Sequence, residues 1–334
     1  MNASKPRVAF IGTGGTISSL GRDSLDLLDY PDYGTKLGID ELLGKFTLIE
    51  KFVEPVPIRY RAVGSTEIGP DDWLTLQSMI TQVVADDPTL AGVVITHGTA
   101  SAEETAYFLN LTMEIEQPIV VVGAQRPASA ISTDAEINLV NAARAAAATV
   151  SRGKGVLLML NDEIQAARDV SKTATLRLQT FRTPDFGVLG HVDGDGVHYY
   201  RSPIRRRMPD TEFDVSGKTT LPRVDIVYCY SGADGASVDG FVKAGAEGLV
   251  SAGFAPGLVT PAQVEAFNRA VADGIIVVQS TRAGSGRVPS RRRLLERDLI
   301  SADNLTPQKA RVLLMVALSH TKDKAELRRI FNEY

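Results

Sequence analysis

Seven short apolar runs constrain the fold of this chain more than any other feature. They are Val8–Gly12, Val93–Thr96, Ile119–Gly123, Val156–Leu160, Val224–Tyr230, Leu249–Ala252 and Ile275–Val278. Each is rich in Val, Ile or Leu and lacks polar alternation. A strand with one wet face would alternate, so unbroken runs of this length belong to a parallel sheet covered on both faces. Helical stretches fall between them. Asp71–Val84 follows Pro70, Ala102–Met113 follows Ser101, and Glu136–Ala148 is rich in alanine. Thr260 and Thr306 stand before Pro261 and Pro307, which suit a first helical position, and Gln263 completes a capping-box pattern. Helix Gln308–Ser319 starts in this way. Strands alternating with helices predict an α/β fold with a mostly parallel, doubly wound sheet.

The pattern changes over Gly187–Tyr200. There Asp193-Gly194-Asp195-Gly196 reads as a hairpin turn between short β-like runs. A calcium loop would need later ligands and a closing Glu that this segment lacks. From Arg201 to Leu221 periodicity disappears and Pro, Arg, Asp, Thr and Gly dominate, as in a linker. A larger N-terminal catalytic domain over 1–200, a linker over 201–222 and a smaller C-terminal α/β domain over 223–334 are therefore expected. A chain of 334 residues is long enough for two such units.

Composition removes several function classes. A net charge of −4 supplies no basic field for nucleic acid. The single cysteine, Cys229, forms neither an internal disulfide nor a thiolate metal cage. No run of 18 apolar residues suggests a membrane span. The opening Met-Asn-Ala-Ser-Lys-Pro-Arg leads straight into Val8, without the longer apolar stretch of a secretory signal, so the expected compartment is the cytoplasm.

Ligands of open α/β sheets sit beyond the carboxyl ends of the strands. The first such loop is Gly12-Thr13-Gly14-Gly15-Thr16-Ile17. A dinucleotide fingerprint needs glycine where Ile17 stands, and a Walker loop needs Gly-Lys-Ser/Thr, so a nucleotide-dependent oxidoreductase is disfavoured. A hydroxyl nucleophile, Thr16, beside oxyanion-binding backbone N–H groups fits better. A second strand ends in Thr96-His97-Gly98-Thr99-Ala100-Ser101, placing Thr99 similarly. Lys172 is expected just beyond the strand Val156–Leu160, where burial would let it act as a base toward a threonine. No Gly-x-Ser-x-Gly elbow occurs, and His97, His191, His198 and His320 show no metal-ligand spacing. The arginines at 205–207 and 291–293 read as solvated loop charge.

These blocks resemble the bacterial L-asparaginase family, including its glutaminase-asparaginases. Gly12-Thr13-Gly14-Gly15-Thr16-Ile17 is similar to the first signature, and Thr96-His97-Gly98-Thr99 with Glu103-Glu104-Thr105-Ala106-Tyr107 to the second. The likeness continues through Val122-Gly123-Ala124-Gln125-Arg126-Pro127, Asn161-Asp162 and Asn304-Leu305-Thr306-Pro307. The resemblance implies that Thr16 is the nucleophile toward a side-chain amide, with Thr99 and Lys172 as the second threonine and its lysine. It implies a lid tyrosine that activates the nucleophile; Tyr30 and Tyr33 are both candidates. Ser65 would hold a substrate carboxylate, with Thr66, Gly98 and Ala100 also lining the substrate. No cofactor or metal is implied, and the expected assembly is a homotetramer of two close dimers, each C-terminal domain completing a neighbour's site.

Three positions depart from that family pattern. Ala100 stands where the second signature has an Asp that binds the substrate's α-amino group. Thr66 replaces a Gln, and Pro256 replaces an Asn supplied by the neighbouring subunit, whose acidic residue should fall near Arg287–Arg293. Groups that would embrace an α-ammonium are missing, unless Glu67 supplies the acid. The resemblance makes L-asparagine the expected substrate, and these departures make a related carboxy-amide the alternative. A binding protein that kept the fold is favoured by Ala100 and opposed by the survival of Thr16, Thr99, Lys172 and Ser65.

Overall fold

The computed structural model describes residues 4–334. They form two compact units that meet in sequence between Thr211 and Glu212. The first unit holds an eight-stranded sheet built from β1 (Arg7–Gly12), β2 (Glu54–Ile58), β3 (Leu90–Thr96), β4 (Ile119–Val122), β5 (Leu157–Leu160), β6 (Glu163–Ala166), β7 (Gly190–Val192) and β8 (Val197–Tyr199). Its spatial order is β8-β7-β6-β5-β4-β3-β1-β2. The five strands from β2 to β5 run parallel, and β6, β7 and β8 are antiparallel.

Burial on both faces explains the unbroken apolar runs. Val8, Phe10, Val94, Val120, Val122, Leu157 and Met159 share one core cluster with helix Ala135–Ala147 and helix Ile39–Lys45. The alternate residues Ala9, Ile11, Val93, Ile95 and Val121 are equally buried and, by the period of two, face the opposite side. Helices Pro70–Asp86 and Ala102–Thr112 pack together, and the latter meets β4 and β5.

Two strands escape the apolar-run criterion. β2 reads Glu54-Pro55-Val56-Pro57-Ile58, and its prolines are tolerated because it is the edge strand. β6 is reached through Asn161 and Asp162, whose φ angles of 53° and 63° form a two-residue hairpin turn. This turn corrects the expected place of Lys172. The chain after β5 folds back through β6, and Lys172 lies in a separate ribbon, Ser171–Lys172 paired with Phe181–Arg182. The turn at Asp193–Gly196 does join β7 to β8, with Asp193 N–H donating to Gly196 O at 2.9 Å.

Register brings the important loops together. Gly12 of β1 lies opposite Thr96 of β3, and Thr96 lies opposite Val122 of β4. The loops carrying Thr16, Thr99 and Gln125 therefore leave the sheet side by side.

The second unit has a parallel sheet of β9 (Val224–Tyr228), β10 (Gly248–Gly253), β11 (Ile276–Thr281) and β12 (Ile300–Ser301), in that order. Helix Pro307–Leu318 is buried along most of its length, and Thr260 caps helix Pro261–Ala272 by accepting from Gln263 N–H at 3.2 Å. Between Tyr199 and Val224 the described residues contain no helix or strand. That segment is nevertheless packed: Met208 is buried in the first unit, and the Phe213 ring lies tilted against Tyr334 in the second, their centres 4.8 Å apart. Among the described residues no helix is long and apolar enough to cross a membrane.

Candidate active site

Two glycines shape the loop after β1. Gly14 and Gly15 have φ of +99° and +80°, where side chains are strained. A Cβ on Gly14 would lie 2.3 Å from Val63 N, and one on Gly15 would lie 2.2 Å from Gly98 Cα. The loop is thus wedged between the backbones that follow β2 and β3, and Gly15 N–H donates to Val63 O at 2.9 Å. Thr16 comes next, at the start of a single helical turn, Thr16–Ser18. Ser18 and Ser19 hydroxyls both donate to Gly15 O, at 3.1 and 2.9 Å, which closes the turn.

The half-buried Thr16 hydroxyl lies 2.8 Å from the Tyr30 hydroxyl. Tyr30 is carried by a lid that leaves and returns through the ribbon Ser19–Leu20 and Thr35–Lys36. Gly21 N–H donates to Ser129 Oγ at 2.8 Å, and Ile131 N–H to Ser24 O at 2.9 Å, fastening that lid. Tyr33 lies elsewhere, 68% exposed, with the Arg22 guanidinium 5.1 Å from its ring centre. Of the two candidate tyrosines, the fold brings only Tyr30 to Thr16. Burial raises the Tyr30 phenol above its ordinary value, with the Thr16 hydrogen bond opposing and Asp134 and Asp26 adding to the rise. The phenol is therefore protonated at neutral pH.

A second hydroxyl stands one residue beyond Gly98. Thr99 is buried, and Lys172 Nζ donates to its Oγ1 at 2.6 Å. Thr99 donates in turn to Gln125 Oε1 at 2.9 Å, and Lys172 Nζ also reaches that oxygen at 3.2 Å. Burial lowers the Lys172 pKa, while the Glu103 charge opposes the fall. Glu103 also accepts the Lys172 backbone N–H at 3.1 Å. A lysine depressed in this way can exchange protons nearer neutral pH.

Sequence reasoning gave Gln125 no role. The signal lay in register: Thr99 is the third residue beyond Thr96, and Gln125 the third beyond its partner Val122.

Around the two hydroxyls the remaining candidates divide. Ser65 is half-buried against Gly98, whose added Cβ would come within 2.5 Å of Ser65 Cβ. Ser101 Oγ donates to Ser65 O at 2.6 Å. Thr66 and Ala100 are exposed, and Ala100 offers no polar side-chain atom. Glu67 closes its own turn, accepting Gly64 N–H at 2.9 Å. His97 is fully buried between Gly98 O at 2.8 Å and Thr105 Oγ1 at 3.0 Å. Burial pushes its pKa down to about 4, so it is a neutral structural group. In the second unit Arg291 donates to Pro256 O at 3.2 Å, Arg287 pairs with Asp303, and Arg292 pairs with Glu296 at 2.6 Å. Among the described residues one trio has metal-ligand spacing, Asp193, Asp195 and His198 on the β7–β8 hairpin, with both aspartates exposed.

A doubly wound sheet followed by a smaller parallel α/β unit, with two hydrogen-bonded threonine hydroxyls at adjacent strand ends, is the frame of an α/β enzyme. Comparison with known proteins makes the class specific. The family described as "Asparaginase, N-terminal" matches residues 7–205, and "Glutaminase/Asparaginase C-terminal domain" matches residues 223–331. L-asparaginase 2 of Bacillus subtilis is 38% identical over 98% of this chain and 87% of its own length. L-asparaginase 2 of Escherichia coli is 37% identical, over 98% and 93% respectively. A crystal structure of a probable cytoplasmic L-asparaginase from Campylobacter jejuni is 37% identical and superposes with a TM-score of 0.94, covering 99% of this chain and 100% of that one. The chain belongs to the asparaginase family.

Proposed function

We propose that the protein hydrolyses the side-chain amide of L-asparagine to L-aspartate and ammonia through a threonine-bound acyl-enzyme. The observation that carries this reading is the paired geometry: Thr16 bonded to Tyr30 at 2.8 Å, and Thr99 bonded to Lys172 at 2.6 Å, on loops in backbone contact. Thr16 Oγ attacks the amide carbon, forming an O–C bond. Because Tyr30 begins protonated, it takes the Thr16 proton as it hands its own to the departing nitrogen. The C–N bond breaks and ammonia leaves. Water then attacks the ester carbon, giving one proton to the Thr99–Lys172 pair; the C–O bond to Thr16 breaks as its oxygen takes the Tyr30 proton, and the proton held by the pair is returned to Tyr30 through solvent. Backbone N–H groups near Thr99 stabilise the oxyanion, each donor contributing about 10²–10³ in rate. Ser65 orients the substrate carboxylate.

The names of the relatives support L-asparagine as substrate. A second reading rests on Ala100 and Glu67. The first lacks a side-chain acceptor, and the second has one carboxylate oxygen turned back onto Gly64 N–H. On that reading the best substrate is a carboxy-amide without the amino group. Ammonia release from L-asparagine, L-glutamine and succinamate, with Thr16→Ala as control, separates the two. Turnover led by L-asparagine supports the first and turnover led by succinamate the second; silence on all three defeats both. The resemblance also supports a homotetramer of two close dimers, which sedimentation of the purified protein tests, and the probable cytoplasmic L-asparaginase from Campylobacter jejuni supports the cytoplasm as its compartment.

A further inference from the structure

We propose that Gln125 is the positioning residue of the Thr99–Lys172 pair, its amide oxygen fixing both proton-carrying groups with an uncharged acceptor. The inference rests on the threonine–lysine reading above and assigns the pair's third member.

The amide cannot turn over. Its Nε2 donates to two backbone carbonyls, Thr175 O at 3.3 Å and Arg177 O at 3.1 Å. Carbonyls only accept, so Nε2 faces them and Oε1 must face Thr99 and Lys172. The backbone is equally constrained. The Asp134 carboxylate accepts the N–H groups of both Gln125 and Arg126 at 2.9 Å, and the Asn138 side-chain amide at 3.0 Å. Gln125 is thereby held at both ends, with one oxygen projecting between the hydroxyl and the amine. The adjacent residue on the Thr99 loop, Ala100, contributes no acceptor of its own.

A neutral acceptor has a particular consequence. It orders Lys172 without adding a full negative charge beside it, which would favour the ammonium strongly. The charged group acting on Lys172 from the neighbouring helix is Glu103, and Asp134 engages the backbone of Gln125 rather than its amide. Thr99 also gains a defined direction for its proton. In the resting state it points to Gln125, and it is passed toward Lys172 when the second half-reaction begins.

The test uses the full-length protein with Gln125→Met and Gln125→Glu. Methionine keeps the length and removes the oxygen; glutamate keeps an acceptor. Expected for Gln125→Met is a fall in kcat of about 10–100-fold, with KM changed less than about threefold. The ascending limb of its kcat/KM profile should move to lower pH by roughly one unit, because the buried ammonium loses a partner. Gln125→Glu should return that limb to the parent position or above it. Acetic anhydride labelling of Lys172 across pH, read by peptide mass spectrometry, must show the same order of midpoints. An unmoved limb and midpoint in Gln125→Met, or a glutamate variant whose limb stays with the methionine variant's, overturns the proposal. Gln125→Ala removes the same oxygen and serves if the methionine variant does not fold. Should the parent release no ammonia from any amide, the functional reading fails, whereas the labelling midpoints still decide the role of Gln125.

Discussion

The two threonines stand one residue beyond glycines whose backbones touch, yet they are held in opposite ways. Thr16 is half-buried, and its partner, Tyr30, rides on a segment pinned near its start, at Gly21 and Ser24, by Ser129 and Ile131. Thr99 is buried, and its partners come from the sheet and a ribbon behind it. One hydroxyl is half-buried and bonded to a surface segment; the other is buried and bonded to groups fixed on both sides of it. On the proposed mechanism the contrast separates a group that must reach the substrate from one that must deliver or accept a proton at a fixed point. Preorganised groups cost nothing to arrange during reaction, whereas lids sequester the site and commit the substrate.

The severest challenge to this contrast is Thr16→Ala. Ammonia release should fall by about 10⁴-fold or more, with an unchanged melting transition. Substantial turnover in that variant would move the nucleophile to Thr99 and erase the distinction.

Acid should next attack the Thr99 side, because that loop follows buried His97. The unfolded imidazole titrates near 6.5 and the folded one at about 4, so only the unfolded chain binds the proton between those values. Stability from this group is complete above pH 6.5 and falls as pH drops toward 4, by on the order of 3 kcal/mol in total. Urea unfolding at several pH values should show that slope. Hydrogen exchange should locate it around Gly98 and Thr99 rather than Thr16, and a flat profile would count against the assignment.

Exchanging the tyrosines sharpens the lid side. Tyr30→Phe should lower kcat by about 10²-fold, the usual scale of a lost proton-transfer partner. Tyr33→Phe should stay within about twofold, as expected for an exposed residue away from the hydroxyls. Equal effects would show that the lid acts as a whole. A smaller loss than that of Tyr30→Phe should come from Ser65→Ala, which should raise KM by about tenfold with kcat nearly preserved, as for a group that binds ground and transition states alike.

How far the sequence reveals this arrangement depends on the physics of each part. β1, β3, β4 and β5 are legible because burial on two faces demands continuous Val, Ile and Leu. β2 is obscured because an edge strand tolerates Pro55 and Pro57, which an interior strand would not. Lys172 is recognisable as a residue but not as a location: the Asn161–Asp162 turn reverses the chain, and two positive φ angles are hard to infer from those side chains alone. Tyr30 and Tyr33 are three residues apart on one helical turn, so spacing cannot choose between them. The choice is made by where the lid is tied down. Gln125 is hidden for a different reason, since an amide carries no charge and fits no nucleophile or base pattern until strand register sets it beside Thr99.

The contact between Gly15 and Gly98 has a bearing on how this protein can change over generations. Main-chain atoms there set the separation of the two hydroxyls, and no side chain intervenes whose size could drift. Substitutions nearby can re-tailor the rim and the lid without altering the gap between the reactive oxygens. On the proposed mechanism, chemistry and substrate preference can then change separately: the backbone fixes the first, and exposed residues such as Thr66 and Ala100 are free to vary.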